Sequence, residues 1–143
     1  MSDLEISRTK LYEEGLTLVI VKSGEVLFRT KSHRIGGLLD AIDQLGEKLE
    51  GSSLADRVVG KAVALLCVYG KVKAVYAAVL SRKARAVLKR NRITVHWGEL
   101  AEKVLDVNKA GVCPFEKAAE NISKPQEAYR VFKVLLDRME SCK

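Results

Sequence analysis

The stretch Val72-Lys73-Ala74-Val75-Tyr76-Ala77-Ala78-Val79-Leu80-Ser81 decides the fold. From Ala74 to Leu80 it is apolar without a break, with β-branched Val75 and Val79 in the run. A run that polar residues do not interrupt reads as a strand covered on both faces, the pattern of α/β sheets. Immediately before it, Val58, Val59, Ala62, Val63, Ala64, Leu65, Leu66, Cys67 and Val68 are apolar almost all round, as in a central, buried helix. Ser53 with Asp56 three residues later resembles a capping box, so the spacing predicts a helix from about Ser53 to Tyr69. Immediately after it, Ser81 is placed to cap a helix whose Ala84, Val87 and Leu88 face inward. Ile93, Val95 and Trp97 then alternate with Thr94 and His96, giving a further strand.

Towards the N-terminus, Ser7 to Glu14 reads as a short helix ended by Gly15. Thr17-Leu18-Val19-Ile20-Val21-Lys22 and Glu25-Val26-Leu27-Phe28-Arg29 flank Ser23-Gly24 as a β-hairpin. Leu38, Ile42, Leu45 and Leu49 then share one helix face, and Gly51 stops that helix. Towards the C-terminus, Asp106 to Val112 reads as a loop, entered by a short strand at Val104-Leu105. Cys113-Pro114-Phe115-Glu116 opens one helix, and Ser123-Lys124-Pro125-Gln126 opens another that buries Ala128, Phe132, Leu135 and Met139. The order is helix, hairpin, two helices, strand, helix, strand, two helices, which favours a mixed sheet between helical layers.

Residues 1–143 read as one domain. A 48% apolar and 30% charged composition excludes a disordered or collagen-like chain. No apolar run reaches the ~18 residues of a membrane span. The acidic start Met1-Ser2-Asp3-Leu4-Glu5 is unlike a secretory signal, so the expected location is the cytoplasm, with no membrane partner. Cys67, Cys113 and Cys142 are odd in number and widely spaced, with no CxxC, which suggests neither a disulfide framework nor a metal cage. Walker A, GxGxxG, HExxH and GxSxG patterns are missing, and no cofactor is implied.

The net charge of +7 is unevenly spread. From Arg57 to Gly98 stand ten Lys or Arg, Arg57 included, and no Asp or Glu, so the remaining 15 basic and 18 acidic residues leave the rest of the chain at −3. Arg82, Lys83, Arg85, Lys89, Arg90 and Arg92 cluster on and after one helix, where they could bind phosphates. Stacking aromatics are scarce in this segment, Tyr69, Tyr76 and Trp97 alone, so a solvated basic helix face is the simpler reading.

Cys113 is the first candidate for chemistry. Orphan N–H groups and the dipole at a helix N-terminus stabilise a thiolate. The plainer alternative is a small, half-buried residue that caps poorly. Lys61 is the only charge between Arg57 and Lys71, beside Gly60, which allows close backbone approach. It is suited to clamp an anion, or simply to lay its stem on the helix with its amine in water. Glu116 is a candidate general base or a partner for Lys61, although a first-turn carboxylate also complements its own helix dipole. Ser81 and Asn108 stand where elements end and are ligand-binding candidates, with capping and turn formation as their ordinary roles. His33 and His96 are isolated.

Asp56-Arg57-Val58-Val59-Gly60-Lys61-Ala62, Val79-Leu80-Ser81, Val107-Asn108-Lys109 and Gly111-Val112-Cys113-Pro114-Phe115-Glu116 together resemble an uncharacterised prokaryotic domain-of-unknown-function family with a cytidine-deaminase-like fold. The resemblance runs over nearly the whole chain and implies a three-layer α/β/α fold with a mixed sheet. Zinc deaminases of this fold open one helix with His-x-Glu or Cys-x-Glu and another with Pro-Cys-x-x-Cys. The resemblance sets Gly60-Lys61-Ala62 roughly at the first motif and Cys113-Pro114-Phe115-Glu116 at the second. The first zinc ligand and the paired cysteine are both absent, so zinc deamination is not implied. Lys61 and Cys113 are expected to face one cleft. The resulting expectation is a metal-free protein binding a nucleotide or related phosphorylated small molecule near Gly60, Lys61, Ser81 and Asn108, with Cys113 as nucleophile or redox sensor. The alternative is a non-catalytic basic module that binds nucleic acid or an acidic protein. The apolar 74–80 strand suits either a covered core or a homodimer surface.

Overall fold

The computed structural model describes residues 1–32, 35–102 and 113–141. Its elements are α1 (Asp3–Glu13), β1 (Leu18–Lys22), β2 (Glu25–Thr30), α2 (Gly36–Leu45) and a 3₁₀ turn (Gly46–Leu49), followed by β3 (Ser53–Val59), α3 (Lys61–Tyr69), β4 (Ala74–Ser81), α4 (Arg82–Arg90), β5 (Thr94–Ala101), α5 (Pro114–Ala119) and α6 (Pro125–Ser141). The five strands form one mixed sheet in the order β2-β1-β3-β4-β5. β1 runs antiparallel to both β2 and β3, whereas β3, β4 and β5 are parallel.

The 72–81 reading holds: β4 lies between β3 and β5, and Val75, Ala77 and Leu80 are fully buried. The hairpin and the 94–97 strand also stand where the alternation put them. Residues 53–59 depart from expectation, because they form strand β3 and the helix begins only at Lys61. β3 is bonded on both edges and buries Leu54 on one face and Ala55 on the other, so it lacks the buried-and-polar alternation of a strand covered on one face. An apolar strand of this kind runs into an apolar helix with only Gly60 between them, and periodicity alone cannot separate the two. The predicted strand at Val104-Leu105 and loop at Asp106 to Val112 fall outside the described residues.

Two β-α-β steps in one direction, β3-α3-β4 and β4-α4-β5, place α3 and α4 on the same face of the sheet. Leu65 and Leu66 of α3, Val87 and Leu88 of α4, Leu38 and Leu39 of α2 and Phe132 of α6 meet Ile20, Leu54 and Val75 there. α1 packs on the opposite face, where Leu11 and Leu16 meet Val19, Val21, Ala55 and Tyr76. Arg57 closes that helix by donating to the Leu16 and Leu11 carbonyls at 2.8 and 3.0 Å. The N-termini of α3 and α4 therefore point to the edge where β3 and β4 end, which is where open α/β sheets place ligands.

Candidate functional site

α3 starts without a capping side chain of its own. Its N-cap is Gly60, in extended conformation, and the first N–H groups of a helix need an acceptor. Glu116 supplies it from another helix. One carboxylate oxygen accepts from the Lys61 N–H at 3.0 Å and the other from the Ala62 N–H at 2.6 Å. A Cβ at position 60 would overlap this carboxylate, so glycine is the residue that lets it approach. Phe115, the neighbour of Glu116, is buried and packs edge-on against Phe132 of α6, which anchors α5 in place.

Burial pushes the Glu116 carboxyl above its usual range, and this prevails over the two backbone N–H groups and the charges of Lys83 and Lys61, which pull it down. The arrangement is an oxyanion held between two helix N–H donors and two lysines. Lys61 itself extends its amine to the Glu120 carbonyl at 3.4 Å, in an exposed position. Gly60, Lys61 and Glu116 thus come together. Glu116 turns to α3, not to the start of its own helix, and both its oxygens are engaged.

Cys113 is the half-buried N-cap of α5, directly before Pro114, and its side chain makes no capping hydrogen bond. Cys67 is fully buried in α3, where burial and the nearby Asp56 push its thiol far above the usual range. Ser81 is buried and caps α4 by accepting from the Ala84 N–H at 3.1 Å. His96 is exposed on β5. Asn108 and His33 lie outside the described residues.

Lys83 was legible only as part of a basic cluster, and nothing in its spacing tied it to Glu116. The signal for the Glu116 contact was indirect: a helix preceded by glycine, with no Ser, Thr, Asp or Asn to cap it. Among the described residues no three His, Cys, Asp or Glu are grouped to hold a metal ion. The zinc of deaminases does not fit the start of α3, where the chain offers glycine, lysine and a carboxylate already bound by two N–H groups.

Arrangement and sequence place the chain in a class: α/β domains on the deaminase-like fold. More particularly, residues 6–136 match the model of a domain of unknown function, DUF1893, also described as TM1506, and the chain belongs to that family. A Thermotoga maritima protein of the family, solved as a crystal structure, is 27% identical and superposes with a TM-score of 0.84, over 94% of this chain and 90% of that one. RibD from Acinetobacter baumannii is 21% identical with a TM-score of 0.50, over 67% of this chain and 35% of that one, which is a likeness of fold alone. A dCMP deaminase from cyanophage S-TIM5 is also matched, at 16% identity and a TM-score of 0.49, over 68% of this chain and 98% of that one. No curated protein matches this chain.

Proposed function

We propose that this protein binds a nucleotide or a related phosphorylated small molecule, without a metal, where β3 and β4 end. The observation that carries this reading is the Glu116 carboxylate, held by the N–H groups of Lys61 and Ala62 with Lys83 lending positive charge. That position already stabilises one oxyanion of the chain's own. Lys61 and Lys83 are the cations through which a ligand phosphate is held beside it. Asn108 is the remaining ligand-binding candidate. Cys113 is the thiol of the site, a nucleophile or redox sensor one helical turn before Glu116.

The binding half is tested by titrating nucleoside monophosphates and the matching nucleosides, read by calorimetry. The expected result is binding by the phosphorylated members alone, weakened when Lys61 and Lys83 are both changed to Gln. Equal binding of nucleosides, or none by either set, sinks it. The thiol half is tested by the rate of alkylation at neutral pH, located by peptide mapping. Cys113 is expected to react faster than free cysteine, and more slowly after Lys61→Met. A rate no faster than that of free cysteine removes that role.

A further inference from the structure

We propose that α4 and the indole of Trp97 form a second, independent surface that binds single-stranded nucleic acid. α4 buries Ala84, Val87 and Leu88, and beside Lys83 of the first site it carries Arg82, Arg85, Lys89 and Arg90. Arg82, Arg85 and Lys89 follow one another at i, i+3 and i+7, so they form one stripe about 10 Å long. Three cations in one stripe can meet up to three phosphates of one strand. The stripe borders β5, the edge strand of the sheet. Two of its cations are ordered over the half-buried indole of Trp97: the Arg85 guanidinium at 5.6 Å and the Lys89 amine at 5.9 Å from a ring centroid. Arg82 pairs with Glu102 at the helix start.

Charge decides the class of partner: α4 itself carries five cations and no acidic residue, and they outnumber Glu99 and Glu102 on and after the neighbouring strand. The indole decides between polyanions. Exposed cation–π contacts are worth only about 0.5–1 kcal/mol, so a base can exchange for a cation on the ring while the released cation takes a phosphate. An acidic peptide offers no ring to stack. A membrane needs an apolar face to insert, and the apolar face of α4 is buried in the core. Bases present their faces freely only in single strands, which favours these over a duplex.

Trp97 is the only tryptophan, so its fluorescence reports on this surface directly. The probes are fluorescein-labelled oligothymidylate and oligouridylate of twenty nucleotides, added to the full chain. Quenching of Trp97 and a rise in anisotropy are expected at about 50 mM salt, with a log–log salt slope near −2 for three phosphate contacts. Changing Arg85, Lys89 and Arg90 together to Gln is expected to weaken binding roughly tenfold or more and flatten the slope. Changing the exposed Lys31, Lys124 and Arg130 together to Gln removes the same charge elsewhere and is expected to leave binding nearly intact. Circular dichroism melts confirm that both triple variants fold. A saturating nucleoside monophosphate is expected not to displace the oligonucleotide, which separates this surface from the site at Lys61. Four results overturn the proposal: no binding at that salt, equal loss in both triple variants, quenching by polyglutamate as strong as by oligonucleotide, or duplex DNA bound as tightly with no change at Trp97.

Discussion

Gly60 and Glu116 act as one unit although 56 positions separate them. Glycine at a helix N-cap is usually justified by backbone freedom, but Gly60 has φ −100°, which any residue adopts. Its role is steric, since the carboxylate of Glu116 occupies the volume of a β-carbon. Gly60→Ala is therefore expected to expel the carboxylate and cost about 1–3 kcal/mol, read by urea unfolding. Glu116→Ala leaves two N–H groups without their acceptor and is expected to cost about 2 kcal/mol. The double variant should cost little more than Glu116→Ala, because the overlap has gone with the side chain. Full additivity of the two single losses would show that the residues do not share this contact. The cysteines give a second test: iodoacetamide on the folded protein should label Cys113 well before Cys67, whose side chain is fully enclosed. Labelling of both at one rate would contradict the packing of α3.

At the scale of elements, the sheet was legible where burial is one-sided or the run is bounded. The hairpin has its turn residues, β5 alternates, and the apolar run of β4 is bounded by Lys73 and Ser81. β3 was not legible, because neighbours on both edges and both faces remove the alternation that marks a strand. Asp56 misled for a related reason: it suits the third position of a capping box, yet it sits in β3 opposite Leu18 and Ala77. Its carboxyl accepts from the Val58 N–H at 3.2 Å, and burial pushes it up to about 7. The folded protein thus holds this proton more tightly than the unfolded chain. Between about pH 4 and pH 7 the native state binds more protons, so the contribution of Asp56 to stability falls as pH rises through that window and is level above it. Asp56→Asn removes the dependence. Urea unfolding at pH 4.5, 6 and 8 should show the variant gaining on the parent as pH rises. A constant difference across the three would mean that Asp56 is ionised throughout.

For the molecule as a whole, the site is set on its most enclosed strands. Val19, Ile20, Val21, Leu54, Ala55, Val75 and Ala77 have no exposed surface, whereas β2 is largely half-exposed and β5 alternates with exposed residues. α6 braces the same region from outside: Tyr129 stacks on Tyr69 of α3 at 4.8 Å, and Tyr129 and Lys133 both bond Asp43 of α2. The ends of β3 and β4 are thereby fixed from both sides, while Lys61 and Lys83 at the helix starts keep exposed or half-exposed side chains. Opening free energy should follow the same gradient, because local opening is governed by buried contacts. Amide exchange is expected to be slowest in β1, β3 and β4 and faster by orders of magnitude in β2 and at the outer edge of β5. Glu116→Ala should then speed exchange at Lys61, Ala62 and through α5 while leaving the centre of β4 near its parental rate. If β4 accelerates equally, the Glu116 contact supports the whole domain and not the site alone.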